Sequence, residues 1–354
     1  EHPQADMNSS GLILVAQDSG DAPAQIPINH HHEDSEGYNG ATPAAPIDGN
    51  PGTTIGQQRL NVFQAAADAW GETIGSNVPV LVDASWDALE CSEEGTTLPV
   101  VAARDFGGGS VPGTWYVVAL ANALAGEDLD PGRSDVVATF NSDVDTNPEC
   151  APGLTWWYGL TGSAPANQLG FMSTVLHELA HGLGFLSLVS LETGEKAEGF
   201  DDIYSNMLED HDLGQLWPDM TDAQRLASAT NTGNLHWVGP QVVAKSLATH
   251  SVGIHPSGHV QMYAPTEISG GSSVSHWDTE LFPNELMEPQ LTATHIQTLS
   301  EELFWDIGWP MTVGQPPPPP GTGDCPHGTF SVSQTGEVCS LRAYFCGKSS
   351  NCFN

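Results

Sequence analysis

The stretch "FMSTVLHELAHGLGF", Phe171 to Phe185, restricts the possible folds of this chain more than any other segment. His177 and His181 are four residues apart, so a helix projects both imidazoles from one face, a turn apart. Two neutral imidazoles placed this way form half of a tetrahedral zinc site. Glu178 lies next to that face and can reach a water at the metal without being a ligand. The apolar pattern around the motif predicts a buried helix ended by Gly182 and Gly184. A catalytic zinc takes three protein ligands, and Ser187 occupies the position six residues after His181. Either the site is degenerate, or the third ligand comes from elsewhere in the fold.

Downstream candidates are His211, His236, His250, His255, His259, His276, His295 and His327, with Glu195 and Glu198 as carboxylate alternatives. Spacing alone does not choose among them. The segment "SHWDTELFPNELMEPQLT", 275–292, places His276 shortly before Met287. Here the chain resembles the metzincins, and within them the secreted bacterial type of the leishmanolysin-like branch. The resemblance rests on 171–185 and 275–290, and more weakly on "PGTTIGQQRLNVFQAAADAWG", "ATFNSD" and "LFWDIGWP".

That resemblance implies an H-E-x-x-H-x-x-G helix, an insertion, and a distant third histidine just ahead of a methionine-containing turn. His177, His181 and His276 are then the zinc ligands. Gly184 turns the chain sharply off the helix, and Met287 packs its thioether beneath the rings. The implied fold is α+β and zincin-like, with a twisted mixed sheet, an active-site helix and a Met-turn. The implied activity is that of a zinc metalloendopeptidase acting on protein or peptide substrates. Zinc lowers the pKa of its water to about 7, and Glu178 takes the proton as the water attacks a carbonyl.

Two other readings stay open at this level. A thermolysin-like plan would use Glu198 or Glu195 as third ligand. A non-enzymatic adhesion protein would keep the zinc site as a vestige, although a purely structural metal has no need of Glu178.

The rest of the chain organises around this catalytic region, expected at 51–312. Residues 1–50 read as an extended segment containing "GLILVAQ" and the triple histidine His30–His32. Apolar spacing through Leu60, Phe63, Ala67 and Trp70 predicts a helix over 53–75. "NVPVLVDASW", "LPVVAARDF", "TWYVVALANAL" and "DVVATFNSD" read as strands, the last being the expected edge strand over the cleft. A helix, several strands and then the motif helix is an α+β order. Between the histidines, Asp201, Asp202, Glu209, Asp210 and Asp212 are dense enough for calcium, though without EF-hand spacing; the bland alternative is a solvated helix face. The proline run in 313–323 is a polyproline spacer. Residues 324–354 form a four-cysteine module too small to fold without staples, expected to bind an insoluble substrate or surface, or to serve as a removable secretion segment.

With 44 acidic residues against 8 basic ones, the formal charge is -36. Such a surface repels nucleic acid and anionic membranes, and no apolar run approaches the length of a membrane span. Six cysteines without a C-x-x-C pair, together with a start at Glu1 that reads as processed, point to disulfides and secretion. A Cys91–Cys150 bridge is expected, and the last four cysteines allow three connectivities.

Overall fold

The computed structural model describes residues 22–30, 37–161, 164–290 and 297–312, together with short strands at 338–339 and 352–353. The expected helix is α1 (Ile55–Thr73), which starts where the Thr54 hydroxyl accepts the backbone N–H of Gln57, an ordinary N-cap. Its buried face carries Val62, Phe63, Ala66, Ala67 and Trp70, the stripe that the 3.6-residue period requires. Around it run β1 (Ile28–His30), β2 (Val82–Asp87), β3 (Gly95–Pro99), β4 (Ala102–Ala103), β5 (Thr114–Val117), α2 (Val118–Ala125), β6 (Val136–Asn141), α3 (Asp143–Thr146), β7 (Thr155–Trp157) and β8 (Gln168–Gly170). The motif helix is α4 (Phe171–Gly182).

The main sheet has the order β1-β2-β6-β3. β1, β2 and β6 are parallel, and β3 runs antiparallel to β6, so the sheet is mixed. Val82, Ala84 and Trp86 of β2, with Val136, Ala138 and Phe140 of β6, are buried at alternate positions, as the two-residue strand period requires. α4 lies on this face. A Cβ on Gly182 would come within 2.5 Å of Val136 Cγ1, so the bare glycine permits the close approach. Phe171, at the head of α4, meets Trp86, Phe140, Trp156 and Tyr158 edge-on with centroids 5.5, 5.1, 5.3 and 5.6 Å away, the geometry ring quadrupoles favour. The Trp70 indole donates to the Leu176 carbonyl at 2.9 Å, fastening α1 to α4.

After α4 come β9 (Asp201–Asp202), β10 (Leu208–Asp210), β11 (Gln215–Leu216), α5 (Asp222–Ser228), β12 (Leu235–Trp237), α6 (Pro240–Thr249), β13 (Val260–Gln261) and α7 (Thr298–Asp306). An antiparallel sheet of order β11-β10-β12-β13 forms here. The Asp306 carboxylate accepts the backbone N–H groups of Gln241 and Val242 and the Trp237 indole N–H at 2.8, 3.2 and 3.0 Å. It thereby places an anion at the N-terminus of α6, where the helix dipole favours one. The Trp309 indole donates to the Leu183 carbonyl at 2.9 Å, tying the chain beyond α7 to the end of the motif helix. All of this belongs to one unit, Asp18–Pro317; outside it, β14 (Val338–Cys339) pairs antiparallel with β15 (Cys352–Phe353).

Four expectations need correction. "DVVATFNSD" is not the edge strand: β6 is flanked by β2 and β3, and the edges are β1 and β3. Alternation reveals a half-buried strand but not its neighbours. "TWYVVALANAL" is strand only to Val117 and then becomes α2, because its alanine- and leucine-rich second half favours helix. The described part of 1–50 is docked against the body: β1 joins the main sheet, and Ala24, Ile26 and Tyr38 are buried. "GFDDIYSNMLEDHD" contains β9 and β10 where a solvated helix face was the alternative. "GLILVAQ", His31, His32, the proline linker and most of the four-cysteine module lie outside the described residues. The Cys91–Cys150 disulfide is present.

Candidate metal centre

α4 delivers His177, Glu178 and His181 as the spacing requires. At its end the Gly184 N–H reaches the His181 carbonyl and the Phe185 N–H reaches the Ala180 carbonyl, at 3.0 and 2.9 Å. Those two bonds make a Schellman motif. Gly184 has φ +118, and a Cβ there would also lie 3.1 Å from Ile307 Cδ1 and 3.3 Å from Val117 Cγ2. Glycine is therefore required both by the backbone and by space. Ser187, at the position a short spacer would give to a third histidine, lies beside the residue preceding His276: its N–H donates to Ser275 Oγ at 3.2 Å.

His276 comes to the same place from the far side of the insertion. The ligand atoms of His177, His181 and His276 all lie within 4.8 Å of one another, and the Nε2 atoms of His177 and His276 are 3.0 Å apart. Each ring is oriented by a backbone carbonyl at Nδ1: Leu286 for His177 at 2.9 Å, Phe185 for His181 at 2.8 Å, and Ser272 for His276 at 2.8 Å. A carbonyl only accepts, so each Nδ1 carries the proton and each Nε2 presents a lone pair. Two facing lone pairs at 3.0 Å repel unless a cation lies between them. Carbonyl-oriented imidazoles are also the usual outer support of a metal ligand. The three residues thus fit a metal ion of the imidazole-binding class.

Electrostatics favour the same state. Burial holds His177 down at about 3 and His181 at about 4, and holds His276 well below the ordinary imidazole range; neighbouring histidines add to the effect at His177 and His276. All three are therefore neutral at neutral pH, the form in which an imidazole can bind a metal. Burial pushes the Glu178 carboxyl up to about 8, with Thr97 opposing and Glu94 and Glu93 adding to the rise. A cation at the histidines would reverse that shift by favouring the carboxylate.

Sequence reasoning missed the wall opposite Glu178. A Cβ on Gly95 of β3 would stand 2.9 Å from Glu178 Cγ, so a side chain there would displace the carboxylate. Glu94, itself raised by burial, accepts the Thr174 hydroxyl at 3.1 Å. Nothing in "EEGTTLP" signals this, because the sheet register brings it from far upstream. Met287 is fully buried, and its carbonyl accepts the Trp277 N–H at 2.8 Å. With the Leu286 carbonyl on His177, this short segment touches both ligand-bearing stretches.

Other expected residues go elsewhere. Glu198 is exposed in a turn with φ +51, and Glu195 bonds locally to Thr193 and Ser190; neither joins the histidines. Asp201 pairs with Lys196 at 2.6 Å. Asp202 is buried, raised to about 6 by that burial, and accepts from Ser205 and Leu188. Asp210 accepts from Leu213 and Asn231. The structure does not gather these three aspartates into one ligand group. No protein-family model and no curated protein sequence matches the chain.

Proposed function

We propose that this chain is a secreted zinc metalloendopeptidase of metzincin type. The observation that carries the reading is the convergence of three carbonyl-oriented imidazoles, His177, His181 and His276, with Glu178 as the adjoining buried carboxyl. A bound zinc ion would supply Lewis acidity, polarising a peptide carbonyl and making a water acidic near neutral pH. Glu178 would take the proton from the attacking water and deliver it to the leaving amine. Gly95 keeps the space that the carboxylate needs to move between those duties.

The exposed edge of β3 lies beside Glu178, and Leu98 on it is 63% exposed. An extended peptide adding a strand there would bring its backbone past the carboxylate, which is β-augmentation. Met287 would close the floor of the site as a Met-turn. The Cys91–Cys150 disulfide supports an oxidising, extracellular setting, and no described helix is long and apolar enough to cross a membrane.

Casein hydrolysis tests the proposal. Cleavage is expected from the zinc-loaded protein, abolished by chelation and reduced by at least about a hundredfold in Glu178→Ala, since general-base assistance contributes roughly 10²–10⁴. Cleavage that is indifferent to Glu178 would refute it.

A further inference from the structure

A second cluster of imidazoles lies in the insertion, away from α4. The antiparallel register sets Glu209 of β10 opposite His236 of β12, and His236 opposite Gln261 of β13. His211 follows β10, and the tight turn before β13 carries His255 and His259, closed by the His255 N–H on the His259 carbonyl at 2.8 Å. His211 packs against His236 at a tilt and against His255 edge-on, with centroids 4.0 and 4.4 Å away.

Three polar atoms meet at close range here. Glu209 Oε2 lies 2.8 Å from His259 Nδ1 and 3.2 Å from His211 Nε2, and those two nitrogens are 3.0 Å apart. With Glu209 as a carboxylate, protons alone leave one edge of this triangle unsatisfied. If both nitrogens donate to the carboxylate, two N–H groups face each other. If one donates to the other, the second lone pair faces the carboxylate or the carboxylate loses its donor. A cation satisfies all three edges at once. Ligand atoms about 2.1 Å from one zinc ion at tetrahedral angles lie about 3.4 Å apart, close to what is seen.

We propose that Glu209, His211 and His259 form a second divalent-metal site, of the zinc class, that staples the insertion between His181 and His276. Two imidazoles and one carboxylate suit zinc and disfavour calcium, which takes six to eight oxygens. The staple joins β10 to the turn ahead of β13. The chain leaving β13 then holds the third ligand of the first centre: Tyr263 N–H donates to the His276 carbonyl at 2.9 Å, and Met262 bridges to Trp277. Fixing this turn therefore fixes the strand on which His276 rests. The assignment is independent of peptidase activity.

Zinc content of the full chain, measured by mass spectrometry after loading with zinc chloride and gel filtration, tests it. Two equivalents are expected in the wild type and one in Glu209→Gln/His259→Gln, with loss of the rise in melting temperature that added zinc gives the occupied second site. If the double variant misfolds, Glu209→Gln alone, which keeps shape and volume, is expected to weaken one of the two zinc sites at least about tenfold. One equivalent in the wild type that the double variant retains, two equivalents retained by the double variant, or calcium competing zinc off, would overturn the second site and leave the peptidase reading intact. One equivalent lost in the double variant but kept in His181→Ala would support the second site and refute the first.

Discussion

Glu178 carries the chemical burden of the account, and its titration exposes its environment. Its carboxyl is raised from 4.5 to about 8 in the metal-free chain. Between those values the folded chain holds a proton that the unfolded chain has lost, so this residue's contribution to stability falls as pH rises through the window. Glu178→Gln cannot ionise. The melting temperature of metal-free Glu178→Gln is therefore expected to gain on the metal-free wild type from pH 6 to 9, and a constant difference would contradict the environment described. His177 and His181 act with the opposite sign. Their depressed values, about 3 and about 4, make the folded chain hold fewer protons than the unfolded one, so stability is lost as pH falls below about 6.5. These residues were legible in sequence because four-residue spacing is local. The Leu286, Phe185 and Ser272 carbonyls that orient the rings were not, since any residue supplies a carbonyl.

At the level of elements, the sequence located α1 to within two residues at each end because its caps and apolar stripe are local signals. It misassigned the edge strand because sheet order depends on pairings between distant segments. It also left 22–50 outside the body, although this polar segment supplies β1 and the Gly37 carbonyl that accepts from Arg59. Arg59 shows what such docking costs in specificity. Buried on α1, it also bonds Asp145 at 3.0 Å and the Tyr158 hydroxyl at 2.9 Å, with its guanidinium 3.9 Å over the Trp86 ring. Removing one partner of such a buried group leaves others unsatisfied, so Arg59→Leu is expected to destabilise the fold by about 3 kcal/mol. Denaturant unfolding checks this, and a change below about 1 kcal/mol would contradict it.

Across the whole molecule, the catalytic reading depends on two distant stretches of chain meeting. Sequence suggested that meeting only through the resemblance of "ELMEP" and its upstream histidine to a known arrangement; nothing in composition or periodicity specified it. The structure brings His276 to α4 through the ladder from β13 and the Leu286 carbonyl on His177. It also gathers four of the downstream histidines that sequence had weighed as third ligands, His211, His236, His255 and His259, in the insertion. The charge of -36 fits both roles, since an acidic surface concentrates divalent cations near their sites. The peptidase reading depends on one metal ion among His177, His181 and His276 with Glu178 beside it. Anomalous diffraction at the zinc edge from zinc-loaded crystals tests it most directly. An anomalous peak is expected about 2.0–2.1 Å from the Nε2 atoms of all three histidines; zinc bound elsewhere in the loaded protein, with these nitrogens uncoordinated, would contradict that arrangement.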